Sequence, residues 1–247
     1  MTLRPWRIAL GLLTRIPVNW RGPPPTPVEI GVSVLFYPLV GLLLGQVLVL
    51  FTRILPEMIE PGVRAALILL AWVWLTGGLH LDGLADTADA WIGGMGDRER
   101  TLAIMKDPHC GPAAVTAVVL LLIIKWSTLQ SFLNEHPPDV LFIPLFLGRV
   151  TILALFLQLP YVRTNGMGAV ASKMVPYDIG LEIFLSCFLF VIIFWNFLGI
   201  QLLLVWIVVW YIIYYALIRR LGGITGDTVG AACEITEATL LISLNFF

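Results

Sequence analysis

Charge is scarce in this sequence. Only 13% of its 247 residues are Asp, Glu, Lys or Arg, whereas 59% are hydrophobic and the mean hydropathy is +0.92. Soluble domains are nearer a quarter charged. We therefore predict an integral membrane protein. The net charge of −1 and the lack of a basic run argue against nucleic acid as a partner.

Cysteine is also sparse. The three cysteines, Cys110, Cys187 and Cys233, are scattered along the chain and odd in number. They indicate neither a disulfide framework nor a zinc ligand set. The N-terminus is not typical of a cleaved signal peptide, because its short apolar part is interrupted by Arg15 and Pro17.

The apolar residues predict an all-α polytopic membrane helix bundle of about six to seven transmembrane helices. Residues 1–27 comprise an amphipathic helix, expected to lie in the headgroup layer, and a stiff Pro-rich linker. Residues 28–247 are predicted to form the transmembrane domain, which also contains the polar stretches described below. Its apolar segments, each near the length of ~20 residues that crosses a bilayer, are 28–55, 63–79, 112–133, 140–159, 179–197, 199–218 and 228–247.

Basic residues indicate the orientation in the membrane. With a cytoplasmic N-terminus, eleven Lys and Arg residues fall on the cytoplasmic side, and only Arg53 and Arg64 fall on the other. This bias follows the positive-inside rule. It predicts a multi-pass protein of the cytoplasmic (inner) membrane whose acidic residues face the cytoplasm.

The densest polar stretch is 77–91, which contains three aspartates in eight residues. At about 100° per residue, Asp82, Asp86 and Asp89 fall within about 60° of one another on a helix. Such crowded anions repel unless a cation lies between them. Carboxylate oxygens suit Mg²⁺ or Mn²⁺. The alternative is a solvated loop whose acids only cap helices.

A second acidic stretch lies at 222–237, where Asp227 and Glu234 share a helix face to within about 20°. Two opposed acidic faces could hold two cations bridged by a phosphoryl group. Alternatively, Asp227 is only an N-cap and Glu234 a buried acid with a local partner.

Basic residues that could contact a phosphate are Lys106, Arg149 and Arg163. Arg149 lies inside an apolar segment, where a charge is costly and therefore indicates function. It either binds a phosphate or pairs with one of the acids, and the sequence favours neither. His80 next to the acids could ligate metal, bind substrate or be merely structural.

Several motifs together resemble one family. The stretch 78–89, GLHLDGLADTAD, resembles the signature of the cobalamin synthases, which are adenosylcobinamide-GDP ribazoletransferases. Three further motifs occur in that family's order: Thr14–Pro17, Ile104–Asp107 and Gly222–Asp227. The resemblance spans nearly the whole chain. The family is distantly similar to CDP-alcohol phosphatidyltransferases, but here no acid precedes Asp82 by three residues and no Ala-Arg follows Gly83.

The resemblance implies a Mg²⁺-dependent transfer in vitamin B12 biosynthesis. α-Ribazole or its 5′-phosphate joins adenosylcobinamide-GDP, releasing GMP and forming adenosylcobalamin or its phosphate. The residue chemistry and the resemblance together give three sets of site residues. The metal ligands are Asp82, Asp86, Asp89 and Asp227. The substrate phosphates contact Lys106, Arg149 and Arg163. The catalytic residues are Asp82 and Glu234, the latter as general base.

Two other functions compete with this enzyme. A secondary transporter would have acids and glycine-broken helices around a cation site near the middle of the membrane. A membrane anchor for other enzymes would need no carboxylates. The enzyme is favoured because both acidic stretches lie at predicted cytoplasmic helix ends. Its expected partners are its two small-molecule substrates and the lipid bilayer, and homo-oligomerisation stays open.

Overall fold

The structure is a computed structural model that describes residues 3–19 and 22–247. Residues 1–2 and 20–21 of the predicted N-terminal segment lie outside the described residues. The helices are α1 (Arg4–Leu13), α2 (Pro27–Ser33), α3 (Tyr37–Ile54), α4 (Pro61–Thr76), α5 (Leu79–Gly93), α6 (Arg98–Ile104), α7 (Pro112–Glu135), α8 (Phe142–Gln158), α9 (Met167–Met174), α10 (Tyr177–Leu221) and α11 (Gly226–Ser243).

Proline and capping side chains determine where several helices begin. Pro27, Pro61 and Pro112 each occupy the first turn of a helix, where the missing N–H costs no hydrogen bond. Thr26 forms a capping box with Glu29 at the start of α2, and the side chain of Glu60 caps α4. These signals are local, so the sequence alone places these helix starts well.

Helix α8 is at the centre of the bundle. Within the candidate spans, 89% of the α8 segment is buried, against 17% for α7 and for α10, whose exposed side chains are apolar. Helix α3 packs against α8 because Gly45 lets the backbones approach. A Cβ at Gly45 would lie 2.3 Å from the Cβ of Phe142. The outer faces of α7 and α10 are therefore the surfaces suited to lipid.

Helix α10 folds back on itself at Asn196, whose dihedral angles (φ 46°, ψ −117°) are not helical. The ring of Trp206 lies 5.0 Å from that of Phe188 and 5.9 Å from that of Phe184. A straight helix would separate Phe184 and Trp206 by about 33 Å at 1.5 Å per residue. The 45-residue helix is therefore two antiparallel arms, as the separate segments 179–197 and 199–218 predicted.

The predicted class, an all-α polytopic membrane bundle, is confirmed. Among the described residues, four helices are long and apolar enough to cross a membrane: Pro27–Ile54, Pro112–Leu133, Pro138–Gln158 and Tyr177–Leu221. The pair α4 and α5, bent by 88° at Gly77–Gly78, makes a fifth if it counts as one span. Helix α11 is not among them. Helix α1 buries Ala9 and Leu13 in the main core, so it packs on the bundle.

The close contact between the two arms of α10 predicts that one methyl group added at Gly199 lowers the stability of the fold. A Cβ at Gly199 would lie 2.5 Å from the backbone oxygen of Val191, so Gly199→Ala must push the arms apart. We expect a loss of roughly 1–3 kcal/mol of stability, measured as thermal unfolding of purified protein in detergent. Gly11→Ala is the control, because its Cβ would meet only ordinary contacts at 3.7 Å. Equal melting temperatures for Gly199→Ala and the parent would contradict this packing.

Candidate active site

The two acidic stretches meet because glycines let α5 and α11 approach closely. A Cβ at Gly83 would lie 2.7 Å from the backbone oxygen of Asp227, and one at Gly230 would lie 3.2 Å from the Cα of His80. Asp82 is thereby placed beside the first turn of α11. The two helices come from parts of the sequence about 140 residues apart, so tertiary packing and no single local motif brings their acids together.

The start of α11 is held by the segment 160–163. Ile224 donates its N–H to the oxygen of Pro160 and accepts one from Val162, both at 2.9 Å. The Tyr161 hydroxyl accepts the N–H of Gly226 at 3.0 Å. This pairing brings Nη2 of Arg163 to 2.5 Å from Oδ2 of Asp227. Burial raises the pKa of Asp227, and the Arg163 guanidinium opposes that rise.

The predicted acidic face on α5 is present. Asp82 is exposed, and Asp86 and Asp89 are partly buried. The carboxylates of Asp82, Asp89 and Asp227 all lie near enough to Asp86 to repel its charge, and Arg163 attracts it. The four predicted metal-ligand residues therefore share one electrostatic neighbourhood, in which a cation would relieve the repulsion.

Asp89 has a second, structural contact. Its carboxylate accepts the backbone N–H of Gly111 at 2.5 Å and that of Ala114 at 2.9 Å, at the start of α7. Helix N-termini favour such anionic acceptors. A carboxylate offers about four lone-pair sites, so two remain for a ligand. Asp89 thus fixes α7 and the preceding loop to the acidic face.

Two of the cavities near the acids lie beside Asp227. One of about 200 Å³ lies where α5 and α11 meet, and its polar lining residues are Tyr37, His80, Asp82, Tyr161 and Asp227. The other, of about 210 Å³, is lined by the cations Lys106 and Arg163 together with Thr164 and Asn165. Two of the three predicted phosphate-contacting residues are therefore brought together, next to Asp227.

The donor set fits a hard divalent cation in its chemistry. As the side chains stand, the described residues contain no group of three or more His, Cys, Asp or Glu placed to hold a metal ion. However, Oδ2 of Asp227 is buried, and its partner is the guanidinium of Arg163, whose Nη2 lies 2.5 Å away. This buried oxygen, with carboxylates on the facing helix, is what Mg²⁺ prefers.

Arg149 and Glu234 lie elsewhere, in a buried ion network. Nζ of Lys125 contacts Oε2 of Glu234 at 2.6 Å and Oε2 of Glu237 at 2.7 Å, and Arg149 pairs with Glu237. None of the four side chains is more than 4% exposed. Arg149 therefore takes the second of its two predicted alternatives, pairing with an acid. Glu234 has a local partner and lines neither cavity.

The sequence reasoning assigned no site role to three residues that the structure places in the ion network or at the central cavity. Lys125 and Glu237 complete the ion network, and the signal for them was charge inside apolar segments, with Glu237 three residues after Glu234. Tyr161 supports the start of α11 and lines the central cavity. Nothing near Tyr161 in the sequence marks that role, because its partner lies 65 residues away.

Comparison with known proteins identifies the family of this chain. A family model described as cobalamin-5-phosphate synthase matches residues 5–245. An adenosylcobinamide-GDP ribazoletransferase of Pseudomonas syringae pv. syringae (strain B728a) is 44% identical over 243 residues, covering 97% of this chain and 98% of the relative. One of Acinetobacter baumannii (strain ACICU) is 41% identical over 241 residues, covering 98% and 96%. No solved structure matches the chain.

Fold and site together define a multi-pass helical membrane protein whose polar site joins acids from α5 and α11 to cations from the α6–α7 and α8–α9 loops. Among such proteins, the chain belongs to the cobalamin-5-phosphate synthase family. The predicted resemblance to that family is confirmed. The expected class, a transferase of cobalamin synthesis, is confirmed by the names of these relatives, and they do not favour the transporter.

The buried ion network predicts that the stability of the fold depends strongly on Lys125. Lys125→Met leaves Glu234 and Glu237 with one cation instead of two, and breaking a buried pair typically costs about 3–5 kcal/mol. We expect a marked fall in the melting temperature in detergent. Adding Glu234→Gln to Lys125→Met removes the excess negative charge and should recover part of the loss. Lys173→Met, at an exposed lysine on α9, is the control. Additive effects of the two network substitutions would contradict the coupling.

Proposed function

We propose that this protein is the transferase that joins α-ribazole, or its 5′-phosphate, to adenosylcobinamide-GDP and releases GMP. The acceptor hydroxyl oxygen attacks the phosphorus attached to cobinamide. A new P–O bond forms, the P–O bond to GMP breaks, GMP leaves with the electron pair, and the hydroxyl proton of the acceptor is released to water. The names of the relatives support this reaction, and the observation that carries it is the convergence of acids and cations around Asp227.

The protein's part in this reaction is positioning and charge neutralisation, as in other phosphoryl transfers. Lys106 and Arg163 line one cavity and would hold oxygens of the departing GMP. The ion pair of Arg163 with Asp227 places this cation at the acidic face. Tyr161 and Thr225 fix the start of α11, and with it the position of Asp227.

The carboxylates of Asp82, Asp86, Asp89 and Asp227 would hold one or two Mg²⁺ ions, with Mn²⁺ as a substitute. Bound Mg²⁺ supplies positive charge to the pyrophosphate oxygens of the GDP-bearing substrate. Asp89 would ligate through lone pairs that its contacts with the start of α7 leave free. The residues fit the ion because four carboxylates within electrostatic range of one another supply the hard oxygens that it binds.

The active site is proposed to face the cytoplasm from the inner membrane. The positive-inside bias supports this orientation, and Lys106 and Arg163 lie on the same side as the acids they approach. A site open to one aqueous phase suits an enzyme. A transporter would need access from both sides.

Asp86 tests the proposed function. Asp86→Asn removes one charge from the centre of the acidic face, and we expect GMP release to fall by about 10²-fold or more, since such electrostatic groups contribute several kcal/mol. The assay uses detergent-purified protein, both substrates and Mg²⁺. Asp178→Asn, at an exposed acid on α10, is the matched control. Full activity of Asp86→Asn, or no GMP release from the parent protein, would refute the proposal.

Substitution of Glu234 tests whether this residue has a catalytic or a structural role. The predicted general base is only 4% exposed and is paired with Lys125, so the geometry favours a structural role. Glu234→Gln should lower the melting temperature while the folded protein keeps turnover within about threefold of the parent. An unchanged melting temperature with turnover reduced about 10²-fold would restore Glu234 as the base. Binding of the GDP substrate, measured separately, shows whether the folded site is intact.

A further inference from the structure

The motif Thr14–Pro17 forms part of the site, although its predicted place was a membrane-surface segment. The backbone N–H of Arg15 donates to the oxygen of Leu75 at 2.8 Å. The Arg15 side chain then packs against Gly77, where an added Cβ would lie 2.4 Å from Nε of Arg15. Both Gly77 and Gly78 have positive φ angles, 69° and 71°, which glycine adopts without strain. The turn between α4 and α5 therefore seats this arginine.

Arg15 and Asp82 line the same open cavity. It measures about 490 Å³, and its other lining residues come from the end of α1 and the α4–α5 turn: Gly11, Leu12, Thr14, Thr76, Gly77, Gly78 and Leu79. The α5 helix begins in this cavity without a capping side chain, so its first N–H groups add positive potential there. Arg15 is exposed, and no acid among the described residues forms an ion pair with it.

The cation-lined cavities flank the acids on two sides. Arg15 shares a cavity with Asp82, whereas Lys106 and Arg163 share another beside Asp227, and Asp82 and Asp227 both line the cavity between them. In phosphoryl transfer the attacking and leaving oxygens lie roughly in line on opposite sides of the phosphorus. If GMP departs toward Lys106 and Arg163, the acceptor must enter from the side of Asp82.

We propose that the Arg15 cavity binds the phosphomonoester of the acceptor, the 5′-phosphate of α-ribazole phosphate. This inference rests on the proposed function and identifies which end of the site receives the second substrate. A guanidinium binds a phosphate through two parallel N–H···O contacts. The cavity is large enough for the phosphate and the ribose that follows it. Arg15 thus selects the phosphorylated acceptor over the free nucleoside.

The test compares two acceptors in the same GMP-release assay. Arg15→Ala should raise the KM for α-ribazole 5′-phosphate at least about tenfold, the range expected for losing charge-assisted hydrogen bonds. It should leave the KM values for unphosphorylated α-ribazole and for adenosylcobinamide-GDP within about twofold of the parent. Arg15→Lys keeps the positive charge but loses the two parallel N–H donors of the guanidinium. Its KM for α-ribazole 5′-phosphate should lie between those of the parent and of Arg15→Ala. Arg7→Ala, at an exposed arginine of helix α1, which precedes Arg15, is the matched control.

Each other outcome overturns the proposal in a distinct way. An equal loss with both acceptors would make Arg15 a structural residue of the α4–α5 turn. A raised KM for adenosylcobinamide-GDP would assign the cavity to the donor. An effect seen in vesicles of anionic phospholipid and absent in phospholipid-free dodecyl maltoside would assign it to a lipid headgroup. No GMP release from the parent would refute the proposed function itself, which the parent assay detects before any variant is compared.

Discussion

The close backbone contact between α5 and α11 is the constraint on which the site depends. Gly83 lies against Asp227, where there is no room for a side chain, and Gly230 lies against His80, where a Cβ would make a tight contact. This contact places an acid-bearing helix face of the first half of the chain against a helix start from its last part. Without it, the carboxylates of Asp82 and Asp86 would not lie within electrostatic range of Asp227.

The cost of charge in an apolar bundle explains how the rest of the protein is arranged. Charges near the ends of helices, such as Arg163 and Asp227, keep part of their side-chain surface exposed. Charges in the interior are neutralised locally, as with Lys125 between Glu234 and Glu237. Unpaired ions in hydrocarbon are expensive. The burial of a charge thus separates the groups of the proposed site from those that only hold α7, α8 and α11 together.

The N-terminal segment shows how a locally plausible assignment can miss a role. The arginines and apolar residues of α1 are typical of a helix at a membrane surface. In the structure, Leu13 is buried in the main core and Arg15 lies on the α4–α5 turn. The Gly-Gly pair before the acidic helix was visible in the sequence. Its partner was not, because no local pattern relates residue 15 to residue 77.

The sequence by itself determined the membrane class, most helix starts, the acidic face on α5 and the family. Each of these depends on composition, on spacing within one helix or on contiguous motifs, and all of them are local properties. Tertiary structure decided which partner each charged side chain has. Arg149 is buried with Glu237, Arg163 pairs with Asp227, and Asp89 accepts a backbone N–H at the start of α7. The physical reason is that pairing and burial depend on which distant helices pack together, and helical spacing contains no record of that packing.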